Sequence, residues 1–404
     1  MARIDRSEIN VAVVAPSTCP VNETGGAEVF TGTLANALAE QGFSVRVYGQ
    51  EGPSFGFVDG VTYVPTSPTA NKIMDTDGIG LRKAVNDTGM AAPLKLAMDI
   101  AQVPDNTRWV VIDNDTASLP LAPFLKGVAE HIFVQHSPMT PHRYGMYQQV
   151  KQSGGRIVAI ADHQREHVAA NFGDLHDITI KNGINTRDFD KFTPKFHNRG
   201  EPVRVGTLSR IASLDIKGVQ FAARAVEKLL KEHDASLTIA GPVADQAAFE
   251  SVVVPLLGDH ARYMGAKNGE EKAAYLADMH VGAALSNPGG WDERTQRFMS
   301  CFKEGSSLVL LEMIYSGTIP VSSDSGGAEA MMDAGLGDFI VPLDILQKEG
   351  MDAFTDCAAR KMLEAARFSA ELSDLRKRVR TIDDLGYDYA GYIMDILNVE
   401  CVVT

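Results

Sequence analysis

Cysteine is scarce in this 404-residue chain: Cys19, Cys301, Cys357 and Cys401 are scattered, with no CxxC or Cys/His spacing. That pattern excludes a disulfide framework and a zinc ribbon, and it reads as four reduced thiols. Long apolar runs are also missing, since nothing approaches the roughly 18 residues that span a bilayer. No small-residue cleavage site follows the opening MARIDRSEINVAVVAP, so this stretch reads as a charged lead into a first strand, and a cytoplasmic address is expected. Positive charge is in deficit, with 38 Lys and Arg against 52 Asp and Glu, and the formal charge of -14 sets the surface against DNA, RNA and anionic lipid. There is no GxGxxG after the first strand, which argues against a dinucleotide dehydrogenase. No repeat of 20 to 50 residues and no low-complexity tract is found.

What is present is alternation. Short apolar segments of strand character are separated by helical patterns, which predicts an α/β protein with parallel sheets covered on both faces. Strands are expected at residues 10–16, 44–48, 109–113, 131–135, 156–160 and 177–180, and in the second half at 203–208, 236–240, 262–264, 281–286, 319–322 and 339–341. The length exceeds what one core organises, so two domains are expected. The polar, proline-bearing stretch DFDKFTPKFHNRGEP supplies the linker. The divisions are residues 1–185, 186–375 and a final helix, 376–404, that returns to the first domain. A long helical region is expected from about Asp352 to Leu397, broken near Gly386, and RKRVR at Arg376 to Arg380 reads as a solvated helix face. Each half opens with strand, loop and helix, so the two loops are expected to face one cleft.

Three segments carry chemistry. In EGSSLVLLEMIYSGTIPVSS, Glu312 sits inside an apolar run, and a carboxylate taken out of water needs a partner. Ser306 and Ser307 precede Leu308 at an expected helix start, whose N–H groups suit a phosphate. The alternative is a core helix with one satisfied carboxylate. In GTLSRIASLDIKG, Arg210 and Lys217 can stabilise negative charge on a leaving diphosphate, or can be two solvated cations at a helix start. In ETGGAEVF, Gly25 and Gly26 permit close backbone approach before a helix. His136 follows a strand and reads equally as a site residue or a structural histidine. Asp113-Asn114-Asp115 has the Asp-x-Asp form of metal-dependent transferases, and His163 and His167 are four apart on a helix, but neither pattern has the companions of a metal site.

The second half resembles the signature of the retaining glycosyltransferases of family 4. Glu304 and Glu312 are separated by seven residues and followed by the turn Ser316-Gly317-Thr318-Ile319-Pro320-Val321. Lys217-Gly218, Gly25-Gly26 and the ending KNGINTRDF at Lys181 extend the likeness through most of the chain. The resemblance implies a GT-B architecture of two Rossmann-like domains facing a central cleft, with the acceptor held by the first and a UDP- or GDP-sugar by the second. It implies Glu304 and His136 beside the sugar, Glu312 on the ribose, and Arg210, Lys217, Gly25, Gly26, Ser306, Ser307 and Leu308 around the donor, without a metal or cofactor. Glu293 in WDERT competes with Glu304. Ser306 and Ser307 replace an aromatic residue and a glycine of the family pattern, and Thr207 stands where the family has its arginine. The implied reaction is transfer of a hexose or similar sugar to a hydroxyl with retention. The acceptor is open: a glycan, lipid-linked sugar, small metabolite or modified nucleobase. A non-catalytic nucleotide-sugar-binding protein, or a phosphorylase or epimerase on the same fold, is the alternative.

Overall fold

The computed structural model describes residues 2–19, 26–51, 60–66, 91–102, 107–114, 122–136, 139, 141–198, 200–209, 217–242, 246–286, 291–292, 297–298, 307–325 and 327–401. They form two compact units, one made of Met1–Gly183 with Thr381–Thr404, the other of Ile184–Arg380.

The first unit begins with strands β1 (Ala2–Ile4), β2 (Ile9–Cys19), β3 (Ser44–Glu51), β4 (Val61–Thr66), β5 (Arg108–Asn114), β6 (Glu130–Gln135), β7 (Arg156–Ala159) and β8 (Ile178–Thr179). Among them lie helices α1 (Gly26–Glu40), α2 (Ala91–Ala101), α3 (Ala122–Leu125), α4 (Pro141–Gln152) and α5 (Asp162–Phe172). Seven of the strands make one parallel sheet in the order β4-β3-β2-β5-β6-β7-β8. Its central strands are apolar almost without break because both faces are covered. Val11, Val13, Val110, Ile112, Ile132 and Val134 pack with Phe30, Leu34 and Leu38 of α1, while Ala12, Val14, Trp109 and Val111 meet Leu96 of α2 on the other face. Strand β4 is not among those the sequence predicts. It lies at the sheet edge, where Pro65 can be tolerated opposite Gly49.

The second unit contains β9 (Val203–Leu208), β10 (Ala235–Ala240), β11 (Ala261–Tyr263), β12 (Val281–Ala284), the short pair β13 (Trp291–Asp292) and β14 (Arg297–Phe298), β15 (Ile319–Ser323) and β16 (Ile340–Val341). Its helices are α6 (Val219–Leu229), α7 (Gln246–Leu257), α8 (Gly269–Ala277), α9 (Leu308–Ser316), α10 (Glu329–Asp333), α11 (Leu343–Lys348), α12 (Met351–Arg367) and α13 (Leu372–Arg376). The sheet is parallel and six-stranded, in the order β11-β10-β9-β12-β15-β16.

After Arg380 the chain supplies α14 (Ile382–Ile396) and β17 (Val399–Cys401) to the first unit. Leu385, Tyr389, Ala390 and Ile393 of α14 join the core under α1, and β17 pairs parallel with β1. The expected helix break near Gly386 is corrected here. The interruptions fall at residues 368–371 and 377–381, and Gly386 lies inside α14, where a Cβ would stand 2.9 Å from the carbonyl oxygen of Ala37. This glycine serves close helix packing, and the start of α14 is set by the Thr381 capping box. The segment RKRVR is not a helix face either. Only Arg376 lies in α13; it pairs with Asp190 at 3.2 Å, and the Arg378 guanidinium donates to the Ala334 carbonyl. Among the described residues no helix is long and apolar enough to cross a membrane.

Candidate functional site

The second sheet changes winding direction between β9 and β12, with β10 and β11 on one side and β15 and β16 on the other. In open parallel sheets such a switch point, beyond the carboxyl ends of the strands, is where ligands bind. Lys217 and Gly218 enter α6 there, and Gly218 has φ +69, the left-handed region that favours glycine. A Cβ on Gly218 would lie 2.0 Å from the Leu285 carbonyl oxygen just past β12, so only glycine lets the two segments touch. Lys217 itself is half-buried.

Tyr275 of α8 fixes the strand ends beneath them. Its hydroxyl hydrogen is shared between the carbonyls of Thr207, at 3.0 Å, and Thr238, at 2.9 Å. Burial pushes its pKa well above the usual tyrosine value, keeping the phenol a donor. Gly206 makes room for it, since a Cβ there would stand 2.9 Å from the Tyr275 hydroxyl.

Helix α9 begins after Ser307, whose backbone is extended and whose side chain makes no capping bond, so the first-turn N–H groups are not satisfied by that hydroxyl. Leu308 is buried. One turn further, Glu312 is 5% exposed, and its Oε1 accepts from Lys272 Nζ of α8 at 2.7 Å. The ammonium stands 6.0 Å from the centre of the Phe189 ring. Gly317, with φ +81, ends the helix and turns the chain into β15. Beyond it Ser322, Ser323 and Ser325 are buried, a row of small hydroxyl residues that leaves the edge polar without bulk.

In the first unit, His136 follows β6 with its ring edge-on to Phe30, centroids 4.6 Å apart. Its Nε2 is buried without a partner among the described residues, and burial holds the imidazole at about 4, hence neutral at neutral pH. At the end of neighbouring β5, Asn114 Nδ2 donates to the Thr31 hydroxyl at 2.6 Å. Gly26 opens α1 with no described atom within 4 Å of where a Cβ would be, so no steric demand for glycine is visible there. Asp113 is buried 3.9 Å from His131, which makes it a core group of β5 and β6. His163 and His167 both lie on α5, the latter bonded through its carbonyl to Asn171, and no group of three metal-ligating side chains occurs among the described residues. Gly25, Asp115, Arg210, Glu293, Glu304 and Ser306 lie outside the described residues.

Sequence reasoning missed Lys272 and Tyr275. A signal existed: Lys272 shares the face of α8 with Tyr275 and Leu276, at spacings of three and four, so a cation sits on an apolar stripe. A buried Lys in one segment and a buried Glu in another are natural counterparts.

Residues 202–358 match the family described as glycosyl transferases group 1. No curated protein matches the chain by sequence. Among solved structures, a glycosyltransferase from Rickettsia africae is similar at 15% identity and TM-score 0.61, over 96% of this chain and 98% of its own. HepE of Anabaena, solved with UDP-glucose, is similar at 11% identity and TM-score 0.59, over 96% and 99%. The pneumococcal O-GlcNAc transferase GtfA, solved with UDP and GlcNAc, is similar at 11% identity and TM-score 0.67, over 96% and 99%. The chain therefore has the two-domain α/β architecture of GT-B glycosyltransferases, and within its second unit residues 202–358 carry the pattern of the glycosyl transferases of group 1.

Proposed function

We propose that this protein is a retaining glycosyltransferase that moves a sugar, a hexose or a close relative, from a nucleotide diphosphate to a hydroxyl acceptor. The observation that carries the proposal is the buried Glu312 carboxylate on α9, paired with Lys272 of α8 within the stretch that matches group 1 glycosyl transferases. A UDP-sugar is the favoured donor, because HepE and GtfA were solved with UDP-glucose and with UDP and GlcNAc.

In this reading the second unit holds the donor. Glu312 accepts from the ribose hydroxyls, because an ionised carboxylate is an acceptor only and matches a diol. The N-terminal end of α9, from Ser306, Ser307 and Leu308, meets the diphosphate, with Arg210 and Lys217 offsetting the charge that develops as it leaves. Glu304 and His136 orient the sugar, Glu304 being preferred to Glu293 for its spacing to Glu312. Gly25 and Gly26 allow close approach at the start of α1. The bond from the anomeric carbon to the phosphate oxygen breaks, the acceptor oxygen attacks from the same face, and its proton passes to the departing phosphate. No metal or protein nucleophile is required. A neutral His136 suits this role, since it can hydrogen-bond a sugar hydroxyl without adding charge. The acceptor is a hydroxyl on a glycan, a lipid-linked sugar, a small metabolite or a modified nucleobase.

The test is a panel of nucleotide sugars offered to the wild-type protein and to Glu312→Ala, with product analysis by mass spectrometry and anomeric assignment by NMR. Donor turnover lost in Glu312→Ala, with an α-linked donor giving an α-linked product, supports the reading. Full transfer and unchanged donor affinity in Glu312→Ala would overturn it.

A further inference from the structure

Glu312 does not wait for its ligand as a lone buried charge. Lys272 Nζ stands 2.7 Å from Oε1, with the lysine side chain 14% exposed and the glutamate 6%. The two residues come from different helices, α8 and α9, so their pairing is set by tertiary packing. Phe189, at the start of a single turn of tight helix within the linker stretch, places its ring centre 6.0 Å from the ammonium. A lysine so enclosed lacks the freedom that makes surface ion pairs weak.

Two consequences follow for the carboxylate. Its charge is offset within the protein, so the pair is neutral and suited to hydroxyl donors, where a lone buried carboxylate would favour a cation or take up a proton. Its rotamer is also fixed, with Oε1 engaged by Lys272 and no described residue donating to Oε2. From this geometry we infer that Lys272 is a positioning residue for the donor ribose: it holds the Glu312 carboxylate by Oε1 and aims Oε2 at a ribose hydroxyl. The inference rests on the reading of Glu312 as the ribose acceptor and adds the residue that makes that acceptor work.

The experiment is calorimetric titration of UDP and 2′,3′-dideoxy-UDP into the wild-type chain, Lys272→Met, Lys272→Arg and the double variant Lys272→Met with Glu312→Leu. Thermal unfolding of each variant checks that it is folded, and the double variant removes both charges so that no uncompensated group is buried. For the wild type, UDP binds about tenfold to a hundredfold more tightly than the dideoxy analogue, the range expected for a hydrogen bond to a charged group. In Lys272→Met that preference collapses to about twofold while the affinity for the analogue stays as it was; Lys272→Arg restores most of it, and the double variant binds the two nucleotides alike. A preference undiminished in Lys272→Met overturns the role of Lys272 alone. So does an equal loss for both nucleotides, which would mark a general structural part. A wild-type chain that binds UDP no better than the analogue, or binds neither, overturns the ribose reading of Glu312 and this inference with it.

Discussion

A Cβ on Gly218 would stand 2.0 Å from the carbonyl oxygen of Leu285, so the loop entering α6 and the end of β12 are in backbone contact at the switch point of the second sheet. That contact joins the two halves of the sheet where the donor is proposed to bind. Gly218→Ala combines left-handed strain with a backbone collision, and a loss on the order of 3 kcal/mol is expected. Gly265 has φ +72 with nothing within 4 Å, so Gly265→Ala should cost about 1 kcal/mol, the strain alone. Urea unfolding of the two variants reads the difference, and equal losses would show that the close contact carries no weight.

Gly386→Ala sets two effects against each other. Alanine favours a helix by about 0.8–1 kcal/mol over glycine. Here its methyl would lie 2.9 Å from the Ala37 carbonyl, and backbone cannot move aside as a side-chain tip can. Overpacking of this kind costs about 1–3 kcal/mol, so a net loss on the order of 1 kcal/mol is expected. It would be read as a fall in Tm of a few degrees, whereas a rise in Tm would mean that α14 and α1 pack more loosely than the geometry says.

Removing one partner of the Lys272–Glu312 pair should be worse for stability than removing both. Glu312→Ala leaves a buried ammonium and is expected to cost about 3–5 kcal/mol. Lys272→Met with Glu312→Leu replaces the pair by apolar groups and should lie within about 1–2 kcal/mol of the wild type. Denaturant midpoints of the three proteins decide the matter.

Acid should weaken the fold through its buried histidines. His136, His176 and His280 are each held at about 4, first of all by burial, against 6.5 for the free side chain. The unfolded chain therefore binds more protons in this interval, so stability is fully present above pH about 6.5 and is lost as pH falls towards about 4. Tm measured from pH 8 to pH 4 should decline mainly below 6.5. His136→Phe, which cannot take up the proton, should flatten the decline; an unchanged slope would mean that this ring is not held neutral.

The periodicity of the chain made the α/β class legible, because buried parallel strands such as Val110 to Ile112 and Ile132 to Val134 are short apolar runs between helices. What it hid depends on contacts between distant segments. Gly386 reads as a helix breaker until Ala37 is seen beside it, and Arg376 reads as solvated until Asp190 and Tyr315 appear against it. Glu312 was visible as a carboxylate in need of a partner, but Lys272 lies 40 positions earlier and only the packing of α8 on α9 brings them together. Edge strand β4 carries a proline and only a short apolar pattern, so its place is set by pairing with β3.

The first unit is assembled from both ends of the chain: α14 supplies Leu385, Tyr389 and Ile393 to the core beneath α1, and β17 pairs with β1. The second unit is contiguous, from Ile184 to Arg380. On a ribosome, where chains emerge from the amino end, the second unit has all its residues in hand before the first can close its core. The sheet of the first unit must thus wait, with the α14-facing side of α1 uncovered, until Thr381 and the residues after it have been synthesised.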